Sequence, residues 1–473
     1  MARQAAVRDR LSDQGCFATG GQAVVIRHRS IRGLLAFCWL AAVAIALAPA
    51  PASATNIERV VSPGGIEAWL VREPSLPLIA MNFAFLGGAN QDPNEKPGVA
   101  NMVAAMLDEG AGELNDSAFQ RRLEETAFEM RFSVTRDYFY GAARMLRDKQ
   151  DESLDLLRLA LTKPRFDAHA IARIHGQTLA GLRRESTNPT TIATRTWWRR
   201  AFANHAYGRP SGGTLESVPT ITADDIRGYA KRVLTRSTLK VSVVGDIDAA
   251  SLGKALDRVF GDLPATGELT PIPERPLDAA GRRVVSQLDV PQSVVLMGGV
   301  GLSRKDSDFI PAFVVNHILG GGSFTSRLYD EVRDKRGLAY GVYSYLLPLR
   351  HSALFMVSTQ ASAERTAEAV ELIESLVRRM AEDGPTEDEL AKAKSYLKGS
   401  YALNFDTSAK IANLLLQVQL DDLGIDYIER RNGLIDAVTI ADAKRAAKRL
   451  AESGLFVTVV GRPKGLESKD PGG

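Results

Sequence analysis

Residues 222–245 read TADDIRGYAKRVLTRSTLKVSVVG, and residues 439–461 read TIADAKRAAKRLAESGLFVTVVG. Each opens on a threonine with an acid two or three residues on, the mark of a capped helix start. Each closes on a short apolar run ended by glycine, TLKVSVVG at Thr238–Gly245 and GLFVTVVG at Gly454–Gly461, the pattern of a buried strand. Thr222 to Lys231 and Thr439 to Lys448 are both nine residues, and the two copies stand about 217 residues apart. A period that long points to a duplicated domain rather than a solenoid of small repeats.

Working outward, the two halves also begin alike. Ile79–Gly87, IAMNFAFLG, leads through a Gly/Asn turn to a helix starting near Pro97, and Ser293–Gly301, SVVLMGGVG, leads to a helix from Phe309. Between the halves, residues 265–283 hold three prolines and little periodicity, as a linker does. The expected organisation is an N-terminal extension over 1–54, a first domain over 55–264, a linker over 265–283, a second domain over 284–465 and a tail over 466–473. Strands followed by several amphipathic helices in each half give an α+β class, with a mostly antiparallel sheet packed against helices in each domain.

The first 54 residues carry a different message. Arg27, Arg29 and Arg32 precede an apolar run of 15 residues, Leu34 to Ala48, and Ala52-Ser53-Ala54 follows it. This is a secretory signal peptide with cleavage near Ala54. The run falls short of the roughly 18–20 apolar residues of a spanning helix, so no membrane segment is expected after cleavage. A periplasmic or secreted location follows. The segment holds six arginines, two aspartates and both cysteines, so its loss takes the net charge from +3 to about −1. The remaining chain can form neither a disulfide nor a thiolate metal site. A near-neutral chain also gives no sign of a nucleic-acid partner. Trp197-Trp198 among Arg195, Arg199 and Arg200 reads as helix packing beside a solvated face.

After Pro97, the residues Val99, Met102, Val103, Met106 and Leu107 form an amphipathic stripe, with Asn101, Ala104 and Ala105 together on another face. Here the chain resembles the pitrilysin/insulinase-type metallopeptidases, which also include mitochondrial processing peptidases. The stretch GGANQDPNEKPGVA matches that family's approach to its inverted zinc motif, H-x-x-E-H. The motif itself is missing. Asn101 and Ala105 replace the two histidine ligands, and Ala104 replaces the glutamate base. No acid stands at 179–182, ahead of Asn188-Pro189, where the family's further glutamate ligand would fall. A catalytic zinc needs about three protein ligands plus a water, and alanine offers no lone pair. The histidines left after the leader, His169, His175, His205, His317 and His351, are scattered and recreate no such motif. No metal is expected in this chain.

Residues 319–345, LGGGSFTSRLYDEVRDKRGLAYGVYSY, resemble the C-terminal half of the same family. There an arginine and a tyrosine seven residues apart reach the substrate backbone across a closed chamber and stabilise the developing oxyanion. Here these are Arg333 and Tyr340. A fixed cation and a phenol aimed at a carbonyl are reasonable oxyanion-hole parts. Taken alone, Arg333 would equally suit a surface ion pair with Asp330 or Glu331. The run Gly320-Gly321-Gly322 lacks the G-K-[ST] of a phosphate loop and suits close approach of a bound peptide. An edge strand near Met81–Leu86, including Phe83 and Phe85, is the expected peptide-docking strand.

The resemblance implies half of a clamshell chamber. It also implies a substrate-binding subunit without zinc, partnered by a homologous zinc-bearing peptidase subunit acting on extended peptides. The alternative is a non-enzymatic scaffold or peptide-binding protein of the same fold. A self-sufficient peptidase with an unrecognised metal site is the third possibility.

Overall fold

The computed structural model describes residues 56–277 and 281–469. The segment expected to be a signal peptide and the last residues of the tail lie outside them. Strands β1 (Ile57–Val61), β2 (Glu67–Arg72), β3 (Leu78–Leu86), β4 (Glu129–Val134), β5 (Tyr138–Leu146) and β6 (Leu239–Gly245) form one sheet in the order β1-β2-β6-β3-β5-β4. Strands β7 (Arg283–Gln287), β8 (Gln292–Val300), β9 (Ala339–Leu349), β10 (Ser352–Ser362) and β11 (Phe456–Gly461) form the second, in the order β7-β11-β8-β10-β9. In each sheet a single parallel pair, β2/β6 or β7/β11, interrupts antiparallel pairing. Removing edge strand β1 leaves the same order in both sheets. The class is α+β.

The repeated segments sit at equivalent places. Thr222 and Thr439 each close a capping box with the third helical residue, Asp225 and Asp442, satisfying two backbone donors at each helix start. The strands that follow, β6 and β11, lie inside their sheets with both faces covered, which accounts for their mainly apolar runs.

The cover on those two faces comes from different parts of the chain. Val241 and Val243 of β6 face the first sheet's own helices. Val244 instead meets Ala412, Leu415 and Val418 of helix Ser408–Leu420, which belongs to the second half of the sequence. Ser242 donates to the Ala412 carbonyl at 2.7 Å, and Gln419 donates to the Val241 carbonyl at 2.9 Å. The reverse exchange occurs on the second sheet. Helix Pro189–Ala201, from the first half, places Trp197 against Leu296, Met356 and Phe456. The Trp197 indole N–H donates to the Phe456 carbonyl at 3.2 Å. Gly298 lies under this ring, where an added Cβ would come within 2.2 Å of it. The tryptophan pair is therefore core, as the packing reading expects.

A buried polar junction joins the same two halves. Tyr207 donates to Asp137 at 2.6 Å and accepts from the His351 backbone N–H at 3.0 Å. Asp137 also accepts from Asn90 and from the Arg350 backbone. The segment after Ala265 is pinned beside this junction. The Arg275 N–H reaches the His351 carbonyl at 2.9 Å, and His205 Nε2 lies 3.0 Å from the Pro273 carbonyl. The described residues cluster as one compact unit.

Candidate functional site

The scaffold of the degenerate zinc motif is fully built. Gly98 caps helix Val99–Met106 with φ of 105°, a left-handed conformation that favours glycine, and an added Cβ would lie 2.8 Å from Gly213 Cα. Buried Asp92 accepts from the Gly98 N–H at 2.7 Å and the Ala100 N–H at 2.8 Å, a carboxylate set on the positive end of the helix. Burial pushes this carboxyl up to about 7, against the pull of those two donors and of Arg209 and Arg232. On the helix face that would hold zinc, Ala104 is buried and Asn101 and Ala105 are half-buried. Thr178 of the neighbouring helix Ala168–Glu185 touches Met102, and Leu179 to Leu182 follow it with no acid. This donor set does not fit a zinc ion. Among the described residues, no three His, Cys, Asp or Glu side chains converge as a metal site.

Two sequence expectations about peptide contacts are corrected. β3 is not an edge, because β6 and β5 pair along both its sides, and Phe83 and Phe85 are 0% exposed in the core. Phe83 stacks edge-on against Phe260 at 5.2 Å. The free edges of the first sheet are β1 and β4. Gly320 is likewise buried, and its missing side chain makes room for Ser344 and Leu328 rather than a ligand. Gly321 is exposed and Gly322 half-exposed, each closely backed by Asn316 or His317. Gly320 and Gly321 end a π-helical turn, His317–Gly321, packed against β9, and Gly322 follows it.

Arg333 and Tyr340 do come together. Arg333 lies on a second π-helical turn, Tyr329–Asp334, with its guanidinium carbon 4.7 Å from the Tyr329 ring centroid and 5.5 Å from that of Tyr340. Its ion-pair partner is Asp334 at 3.1 Å, while Glu331 pairs with Lys335 and Arg336. Tyr340 is 85% exposed. A bulge explains this exposure. Ala339 pairs with Ala361 and Val342 with Thr359, so Tyr340 and Gly341 together oppose Gln360. Without the extra residue, Tyr340 would share the inner face of Val342 and Ser344, both buried. The Thr359 hydroxyl donates to the Gly341 carbonyl at 2.8 Å. Sequence reading missed Thr359, which lies outside the matched block. Thr359→Val should lower stability by about 1 kcal/mol, and it should loosen Tyr340, seen as faster amide exchange at Gly341.

Arg327, five residues after Gly322, anchors this block. It grips Glu389 through two bonds of 2.7 and 2.6 Å and donates to the Gly384 carbonyl at 3.0 Å. Burial alone would raise the Glu389 carboxyl. The Arg327 fork and the Thr386 backbone outweigh it and hold the group at about 2. The folded chain therefore binds this proton more weakly than the unfolded chain. The contribution is complete above the ordinary value of 4.5 and is lost as pH falls towards about 2. Solvent screening leaves about 1–2 kcal/mol for the pair. Denaturant midpoints of Glu389→Gln should lie below wild type at pH 7 and converge with it at low pH.

The insulinase (peptidase family M16) model matches residues 77–215, and the peptidase M16 inactive-domain model matches residues 220–397. A non-peptidase homolog, YmxG, of Helicobacter pylori is 28% identical over 72% of this chain and 78% of its own length. An uncharacterized zinc protease of Streptomyces coelicolor is 26% identical over 86% of this chain and 90% of its own. Among solved structures, a peptidase M16 inactive domain from Pseudomonas fluorescens superposes with a TM-score of 0.81 at 28% identity, covering 88% of this chain and 99% of that one. The periplasmic protease PqqL from Escherichia coli shares the fold, with a TM-score of 0.73 at 15% identity, and the match covers 87% of this chain and 46% of PqqL. Matched on both halves, and with Asn101, Ala104 and Ala105 where zinc ligands and base would stand, the chain belongs to the insulinase family, peptidase M16, as a member without the zinc motif.

Proposed function

We propose that this chain is the substrate-binding subunit of a heteromeric periplasmic zinc peptidase, supplying Arg333 and Tyr340 in trans to a homologous subunit that carries H-x-x-E-H. The observation that carries this reading is the bulge that turns Tyr340 outward beside the Arg333 guanidinium. A structural tyrosine at that position would point inward with Val342. Together the two groups offer a cation and a neutral O–H donor to a peptide carbonyl oxygen as negative charge builds on it. Such donors stabilise a transition state because they are already in place when the charge appears. Extended peptide could add to a free sheet edge, β4 or β9, through main-chain hydrogen bonds with little sequence selectivity. Export rests on the signal pattern of residues 27–54.

The test is reconstitution. This chain, a related exported chain with intact H-x-x-E-H, and their mixture are assayed for peptide cleavage. Cleavage confined to the mixture, or strongly enhanced in it, supports the assignment. Cleavage by this chain alone after metal stripping overturns it. A scaffold role predicts no change in the mixture when Arg333 and Tyr340 are altered.

A further inference from the structure

At the opposite end of β9 from Tyr340, a cavity of about 350 Å³ opens between helix Phe309–Asn316, helix Ser408–Leu420 and helix Tyr427–Asp436. The volume lies in the small-molecule range of about 300–1,000 Å³. Phe313, Tyr345, Leu414 and Val418 give it a largely apolar wall. Two arginines line it, and their situations differ. Arg304 is neutralised by Asp421 at 3.4 Å and donates to the Tyr427 hydroxyl at 2.6 Å.

Arg431 is only 9% exposed, yet among the described residues no carboxylate lies within ion-pair distance of it. Its guanidinium carbon lies 4.0 Å from the Tyr401 ring centroid and 5.7 Å from that of Phe313, and its Nη1 reaches the Leu397 carbonyl and Asn432 Oδ1. Aromatic faces and neutral acceptors only partly offset the cost of burying a cation. Tyr401 also lines the cavity, and its buried hydroxyl has no hydrogen-bond partner among the described residues. Two residues of the same largely apolar wall therefore carry a buried cation without a carboxylate and an unsatisfied hydroxyl.

We infer that this cavity is a binding site for a carboxylate on an apolar body, with Arg431 and Tyr401 holding the carboxylate and the aromatic wall holding the body. A single guanidinium and a single phenol match a planar monoanion better than a phosphate, which offers more acceptors and would bring more negative charge towards the lining Asp421. Burial pushes the Tyr401 hydroxyl up to about 12, so at neutral pH it remains a neutral donor. The site is independent of the oxyanion role proposed above. The carboxylate could belong to a small free acid or to the C-terminus of a peptide.

The test is calorimetric titration of the whole exported chain with 3-phenylpropionate and 3-phenylpropionamide. A short peptide ending in phenylalanine, with free and with amidated C-terminus, provides the second pair. The expected result is binding of at least one free acid, with its amide weaker by about tenfold or more. Binding of the small acid alone identifies that source, and binding of the peptide acid alone identifies the other. Tyr401→Phe removes an oxygen without a protein partner, so it should keep the fold while weakening the acid. Arg431→Gln, checked for folding by circular dichroism, should abolish the preference for acid over amide. Absence of binding by both acids up to millimolar concentration overturns the inference. So does equal binding of acid and amide, or wild-type affinity in Tyr401→Phe together with folded Arg431→Gln.

Discussion

In a mixture with a zinc-bearing partner, Tyr340→Phe should lower kcat by about a hundredfold while leaving KM within a fewfold of wild type. The ring stays, and with it the contact to Arg333 at 5.5 Å, so only the O–H donor is removed. Loss of one preorganised donor costs about 10²–10³ in kcat. Arg333→Ala should match or exceed that loss, since it also removes the cation stacked on Tyr329 and the ion pair with Asp334. If both groups act on one oxygen, the double variant will lose less than the product of the single effects. Unchanged kcat in both single variants sinks the assignment in trans. A rise in KM alone would make the pair a ground-state contact with peptide.

The largest expected effect on stability is at Trp197. It is fully buried, bonds to Phe456 and covers Gly298. Trp197→Ala should cost about 3–5 kcal/mol, as large-to-small changes at buried aromatics do. Because this ring carries the first half's helix onto the second sheet, the loss should also uncouple the halves. Guanidinium unfolding followed by circular dichroism should change from one transition to two. A single transition displaced by less than about 1 kcal/mol would show that the junction around Asp137, Tyr207 and His351 joins the halves without the helix.

What was legible in the sequence was local. The capping boxes at Thr222 and Thr439 and the runs at β6 and β11 are fixed by spacing and composition, and they were found where they were read. The absent zinc ligands are a matter of residue identity alone. Errors arose where the answer depended on distant partners. The alternation of IAMNFAFLG is common to edge and interior strands, and only pairing with β6, from more than a hundred residues on, makes β3 interior. Likewise, an apolar helix face declares that it is covered but not by which sheet, so the crossing of helices Pro189–Ala201 and Ser408–Leu420 could not be read from their periodicity. The exposure of Tyr340 depends on one extra residue opposite Gln360, a register property with no signature in the strand itself.

The crossed helices also set an order of assembly. As the chain emerges from the ribosome, helix Pro189–Ala201 is complete long before β11, the strand its Trp197 bonds to, at Phe456–Gly461. The first sheet waits 170 residues, from Ser242 to Ala412, for the helix that covers its outer face. The first half can build its own inner core early, but the outer face of each sheet is covered only when the other half is made. Contacts spanning 170 to 259 residues make folding slow and leave two tryptophans open to wrong partners in the interval. Truncation shortly before residue 456 would leave Trp197 without its bonding partner and the second sheet without β11, although the helix that covers the first sheet would already be made.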